Sequence, residues 1–300
     1  MRFYVLFIIT ALILLVPGHS VLASQIGVIM TGNIEYYQII HEAFLEKMGN
    51  HTHKIVLQKP MPDPMSWTNS ARKLTAIGSD VIVSYGAPAA LMTMKATSEI
   101  PIIFAGVFDP GSMSMTGKNA TGISSSVSIA NVLKDLVAIK KISKLGIVLS
   151  KSEKDTILQT KQIKKIESTF GFHSVLIAVK NKINTDRIKG VDALLLTTCS
   201  AGMMNVREIV KIARRDKIPT AALMGGGEKE GIILTVQADP KEQGKELAGM
   251  VSQILDGADV SDIPLKEPEN IDIIVNLKEA AELALNIPAD LKNKAAKVIE

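Results

Sequence analysis

Proton transfer, nucleophilic attack and metal binding draw on His, Cys, Asp and Glu, and this 300-residue chain holds only five histidines and one cysteine. The one close histidine pair, His51-Thr52-His53, falls in a polar turn without a third ligand beside it, so it reads as a solvated turn. Cys199 ends the apolar run Leu194-Leu195-Leu196-Thr197-Thr198 with no histidine in a partner motif, which reads as a buried, inert thiol. Gly225-Gly226-Gly227 leads into a strand and not a helix, so it is neither a phosphate loop nor a dinucleotide fingerprint. Gly122-Ile123-Ser124-Ser125-Ser126 lacks the closing glycine of a nucleophile elbow. The residues therefore predict no catalytic set, no metal site and no cofactor.

What the chain offers instead is grip. In open parallel sheets a ligand binds at the carboxyl ends of the strands. On the first half of the chain those ends carry Thr31, Gly32, Asn33, Ser84, Tyr85, Gly86, Ala87, Phe108 and Asp109. On the second half they carry Ser152, Glu153, Thr198, Ser200 and Gly226, and Ser124 stands at the crossing between the halves. Hydroxyls, glycines and backbone amides hold a small polar molecule but transfer protons poorly. Residues 84–88 precede a helix, whose free N–H groups and positive end suit a carboxylate or another anion. Tyr85 and Phe108 suit an apolar wall, with packing between lobes the alternative for Phe108. Asp109 suits an ammonium group or, equally, the capping of the Asp109-Pro110 turn. Trp67 reads as core.

The elements that must position these residues alternate. Residues 25–30 read as an apolar strand, and 35–48 place Ile39, Ile40, Ala43, Phe44 and Met48 on one helical face. A strand at 54–58 follows, then a helix over 64–77 with Asp63 as N-cap and Pro64 in its first turn. A strand at 81–83, a helix to about 97 and the proline-entered strand 101–107 complete a four-strand set, and Ile123 reads as an extended crossing. Beyond it come a helix at 129–141, a strand at 145–149 and a helix to 170, opened by the capping-box-like Ser152-Glu153-Lys154-Asp155. Strands at 172–178 and 193–197, one helix over 203–215, and strands at 219–224 and 232–236 follow. A helix at 240–255, a strand at 271–276 and closing helices finish the chain. The predicted class is α/β, two Rossmann-like lobes with parallel central sheets.

Composition agrees with two domains. The chain is long enough for two cores, and 47% hydrophobic content is that of a globular protein. A net charge of +4, dispersed along the chain, and 4% aromatics exclude a nucleic-acid surface. Arg2, the apolar run 3–16, Pro17-Gly18 and Val21-Leu22-Ala23 read as a signal peptide over residues 1–23, with export as the expectation. The apolar run is short for a membrane span, and no cysteine near the cleavage point supports a lipid anchor.

Three stretches then resemble a known family. Residues 83–90 (Val-Ser-Tyr-Gly-Ala-Pro-Ala-Ala), residues 100–110 (Ile-Pro-Ile-Ile-Phe-Ala-Gly-Val-Phe-Asp-Pro) and Thr121-Gly122-Ile123-Ser124 are similar to the ABC-transporter substrate-binding proteins of the tryptophan/tyrosine type. The tail adds Asp262-Ile263-Pro264, Ile274-Val275-Asn276-Leu277-Lys278 and Ala284-Leu285-Asn286-Ile287-Pro288. The resemblance implies a type I periplasmic-binding fold, two lobes joined by three crossover strands and closing on a hinge. It implies one lobe of residues 24–122 plus about 237–262, and another of 123–236 plus about 263–300. It also implies capture of a small polar solute, an amino acid or similar, and delivery to an ABC permease and its ATPase. The protein would be a monomer free in the periplasm. A periplasmic sensor presenting the ligand to a membrane receptor kinase is the alternative. Relatives often carry an acid or amide where this chain has Thr198-Cys199-Ser200-Ala201, so the solute class stays open.

Overall fold

The computed structural model describes residues 24–49, 53–117, 119–180 and 182–300. The segment read as a signal peptide, and His51 and Thr52, lie outside the described residues. The first half builds β1 (Gln25–Met30), α1 (Glu35–Met48), β2 (Lys54–Gln58), α2 (Pro64–Ala76), β3 (Val81–Tyr85), α3 (Ala87–Ala96), β4 (Ile102–Val107) and β5 (Ala120–Ser124). Asp63 caps α2 as expected, its Oδ1 accepting the N–H groups of Met65 and Ser66 at 3.0 Å. The sheet order is β2-β1-β3-β4-β5, with every neighbouring pair parallel. It has five strands where the sequence suggests four, because the crossing at Ile123 pairs with β4. Gly122 permits this: a Cβ there would stand 2.1 Å from the Phe104 carbonyl oxygen.

The second sheet collects α4 (Ile129–Ile139), β6 (Lys144–Leu149), α5 (Lys154–Phe170), β7 (His173–Ala178), β8 (Ala193–Leu196), α6 (Ser200–Met204), α7 (Val206–Asp216), β9 (Thr220–Ala222) and β10 (Leu234–Ala238). After α8 (Pro240–Leu255) come β11 (Ile271–Asn276), α9 (Leu277–Glu282), α10 (Ala289–Asn293) and β12 (Lys297–Ile299). The strand order is β12-β11-β10-β9-β8-β6-β7, parallel except where β11 runs antiparallel to β10. Two readings of the sequence need correction. The single helix over 203–215 is two helices, broken at Asn205, whose side-chain amide donates to Ala201 O at 2.7 Å and competes with the helical ladder. The chain ends in a short strand beside β11 instead of a helix.

The chain passes between the sheets three times: after β5, after β10, and between Lys266 and β11. At the third passage Lys266 pairs beside Ile123, exchanging backbone bonds with Gly122 and Ser124. Helix α8 leaves the second sheet and packs on α1 and β4 of the first, whereas β11 returns to the second. Gln243 of α8 is buried and ties two strands at once, accepting from Gly106 N at 3.0 Å and donating to Ser124 O at 2.8 Å. Gln243→Ala strands both backbone groups out of water. A loss of about 3 kcal/mol is expected, measured by chemical denaturation.

Candidate functional site

The first lobe contributes a phenol laid over two glycines. Tyr37, in the first turn of α1, is buried, and a Cβ on Gly86 would meet its Oη at 2.5 Å. A Cβ on Gly106 would meet its ring at 2.9 Å. Both glycines have positive φ, 88° and 65°, so the backbone and the missing side chains together make the bed for this ring. Trp67 is core as expected, and its Nε1 donates to Thr31 O at 2.7 Å.

The second lobe sets two acids opposite that phenol. Glu153 and Asp155, at the start of α5, are each 1% exposed. Glu153 Oε2 accepts the Ser200 N–H at 3.0 Å, and Asp155 Oδ2 accepts the Thr198 hydroxyl at 2.8 Å. Gln159 holds Thr198 from below, donating to its Oγ1 and accepting its N–H, both at 3.0 Å. Glu153 Oε1 and Asp155 Oδ1 have no partner in full hydrogen-bond geometry, while the Ser200 hydroxyl and Ala201 amide lie near the first carboxyl and the Thr156 amide near the second. The Ser200 hydroxyl lies against Tyr37, and the phenol's proton is held more tightly by burial and by the facing acids. The lobes are thus in contact. Lys229 pairs with Glu35 at 2.8 Å across the same boundary, and Tyr36 Oη donates at 3.1 Å to the O of Ala238, the last residue of β10, where the chain returns to the first lobe.

Removal from water shifts both acids. Burial pushes the Glu153 carboxyl up to about 8, helped by the Asp155 charge and opposed by the Ser200 amide. Burial likewise pushes Asp155 up to about 6 against the pull of the Thr198 hydroxyl. A carboxyl that binds its proton more tightly when folded adds stability below its unfolded value, and that stability is lost as pH rises through the folded value. Starting values of 4.5 and 3.8 place this window between about pH 4 and pH 8. The melting temperature of the unliganded protein should therefore fall from acid to mildly basic pH, on the order of 5 °C. Glu153→Gln should remove most of that slope, since glutamine still accepts from Ser200 N. His41, buried on Tyr85 Oη at 3.0 Å and pushed down to about 4 mainly by burial, acts with the opposite sign, so only the comparison with the variant isolates Glu153.

Of the residues singled out in sequence, Glu153, Thr198 and Ser200 converge, and Gly86 shapes the bed of Tyr37. Gly226, at φ 103°, lies against Glu35 of the other lobe. The others do not share one opening. Thr31 Oγ1 donates to Tyr85 O at 2.8 Å and accepts the Ala89 N–H at 3.2 Å, so it caps α3. Gly86 N–H goes to Ala105 O and Pro88 has none, so the helix start offers at most the Ala87 amide. Ser84 turns to Thr93 at 3.4 Å, on the α3 side of the sheet. Tyr85 turns under α1 to His41 and forms no wall. Gly32 is buried between Ile34 and Met204, whereas Asn33 is exposed and bonded to Gln38. Phe108 packs with Val127 and Ile129. Asp109, at φ 48°, accepts the Ser112 N–H at 3.0 Å, the turn-capping alternative. Ser124 bonds Ser126 at 2.9 Å beside the passage between lobes, and Ser152 bonds Ser150 at 2.8 Å at the surface. No capping box forms, because Asp155 turns to Thr198. Sequence reading missed Tyr37 and Asp155; the adjacent tyrosines at the start of α1 were the available signal for the first.

Two lobes of parallel-rich α/β sheet, crossed three times by the chain and meeting at their strand ends, define the type I periplasmic-binding architecture. The chain belongs to the ABC transporter substrate binding protein family, whose model matches residues 34–299. A tyrosine-binding protein of Clostridioides difficile is 25% identical over 235 residues, covering 74% of this chain and 68% of that one. Among solved structures, an ABC domain in complex with L-Trp from Streptococcus pneumonia superposes with a TM-score of 0.85 at 22% identity, over 92% of this chain and 100% of that one. The ligand-free, open structure of a substrate binding protein with adhesive properties from Clostridium difficile superposes with a TM-score of 0.65, also at 22% identity, over 92% and 99%. Among the described residues no helix is long and apolar enough to cross a membrane, and no group of three or more His, Cys, Asp or Glu side chains is placed to hold a metal.

Proposed function

We propose that this protein captures a small amino-acid-like solute between its lobes and delivers it to an ABC permease and ATPase, with Glu153 and Asp155 receiving the solute's ammonium group. One observation carries the reading. Two carboxyl groups lie buried where the lobes meet, each with one oxygen unpartnered, and their other oxygens meet an amide and a hydroxyl instead of a cation. A buried carboxylate without a counter-charge is costly, and an ammonium ion with its N–H donors supplies both the charge and the bonds. Tyr37 and the Ala87 amide are the groups of the first lobe that complete the enclosure. The relatives described as binding tyrosine and tryptophan support an amino-acid ligand. The lobes are taken as residues 24–122 plus about 237–262, and 123–236 plus about 263–300, with support from the packing of α8 on α1 and the pairing of β11 with β10. Export to the periplasm and action as a monomer complete the proposal.

Calorimetric titration tests it with matched sets: L-tyrosine and L-tryptophan, the amines lacking the carboxylate, and the acids lacking the amine. The amino acids should bind, the amines should retain part of the affinity, and the acids should not bind. Binding of the acids as tightly as the amino acids would remove the role given to Glu153 and Asp155.

A further inference from the structure

A second group of unsatisfied oxygens lies where the loop after β9 meets the start of α1. A cavity of about 70 Å³ is lined there from both lobes, by Glu35 and Tyr36 on one side and Gly225 and Glu228 on the other, with Gln237 at the end of β10 where the chain passes between them. Glu228 is 8% exposed and Gln237 6%, and each has one side-chain oxygen without a hydrogen-bond partner, Glu228 Oε1 and Gln237 Oε1. Glu228 Oε2 is engaged, accepting Gly226 N at 2.9 Å, and Gln237 stands opposite Asp272 in the β10–β11 register. The free oxygens converge on Gly225, lying 3.2 and 2.1 Å from the place its Cβ would take. Thr235, two residues earlier on the same face of β10, has a third unpartnered oxygen. Lys229 and Lys297 stand at the rim, and Lys229 Nζ is bonded to Glu35.

Buried acceptors that face one another without a donor are unfavourable, and a carboxylate out of water calls for a counter-charge. A space of this size admits water or a small ion, and its unpartnered groups are all oxygens. One carboxylate and neutral oxygens match a single positive charge. We propose that this cavity binds a small monovalent cation, held by Glu228 Oε1 and Gln237 Oε1 between the lobes. Because both lobes line it, the bound cation favours their contact and so reinforces solute capture.

The proposal is independent of the roles given to Glu153 and Asp155, and its test uses the full chain without solute. Thermal unfolding is followed in the chlorides of sodium, potassium, methylammonium and N-methylglucamine at equal ionic strength. A small cation at tenfold its dissociation constant should raise the melting temperature by on the order of 3 °C over N-methylglucamine. The shift should persist in Asp155→Asn. It should vanish in Glu228→Gln, whose new amide N–H can donate to Gln237 Oε1 in the cation's place. A response to sodium or potassium identifies an inorganic ion as the occupant, and a response to methylammonium alone an organic amine. Equal melting temperatures in all four salts, or a shift that survives Glu228→Gln, overturn the proposal and leave the cavity to water. The comparison of salts on the unsubstituted protein decides the matter even if the variant does not fold.

Discussion

Asp155→Asn is expected to weaken binding of an ammonium-bearing solute about 100-fold near pH 7, a change of roughly 2.8 kcal/mol. Burial raises both carboxyls, and the two lie close enough for one charge to oppose the other, so the pair takes up one charge more readily than two. Asparagine keeps an oxygen for the Thr198 hydroxyl, now at 2.8 Å, and therefore preserves the local bonding while deleting the charge. Removing one member of a buried, hydrogen-bonded charge pair costs about 2–5 kcal/mol, and the figure above lies at the low end because an acceptor remains. Glu153→Gln should behave differently with pH. Its cost should grow with pH as the pair gives up its second proton, and approach the Asp155→Asn loss above about pH 8. Calorimetric titration of both variants at three pH values checks this. Unchanged affinity in Asp155→Asn would sink the assignment of the ammonium group.

Gly244→Ala should be among the most damaging small substitutions in the chain. Gly244 lies inside α8 where that helix crosses α1, and an added Cβ would stand 2.3 Å from Ile40 O and 2.8 Å from Phe44 N. Both neighbours are helix backbone, so neither can rotate aside, and α8 must lift off α1. A loss of at least about 3 kcal/mol is expected, with the first lobe opening before the second. Gly249, five residues along the same helix, has nothing within 4 Å of its Cβ position. Gly249→Ala should stabilise by about 0.5–1 kcal/mol through helix propensity alone. Chemical denaturation of the pair separates crowding from propensity. Equal effects at the two positions would contradict the close crossing of α8 and α1.

Much of this molecule was legible along the chain. The alternation of apolar strands with helices of 3.6 periodicity located β1, α1 and α8 to the residue, because burial imposes its period on the sequence wherever an element has one face in a core. Asp63-Pro64 and the glycine-rich turns were readable for the same reason: capping and positive φ are demands made by local backbone. Glu153, Thr198 and Ser200 were reachable because strand order alone brings carboxyl ends together. Elements without a full hydrophobic period were not. β12 is three residues long and exists through its pairing with β11, and the break at Asn205 depends on one side-chain bond.

The site divides the same way. Composition and spacing determined an α/β chain whose strand-end loops carry hydroxyls, glycines and amides, and they named Glu153, Thr198 and Ser200 among the groups that meet where the lobes join. Only tertiary structure decided that Asp155, a helix-capping residue by its spacing, turns to Thr198 with one oxygen left over, or that Tyr37 lies on Gly86 and Gly106 to face it. It also decided that Ser84, Asp109 and Ser124, promising by position, spend their side chains on local bonds. Residue type and local period tell which groups are available. Whether a carboxylate is left without a partner depends on what the opposite lobe brings within about 3 Å, and contacts between residues more than a hundred positions apart leave no period in the sequence.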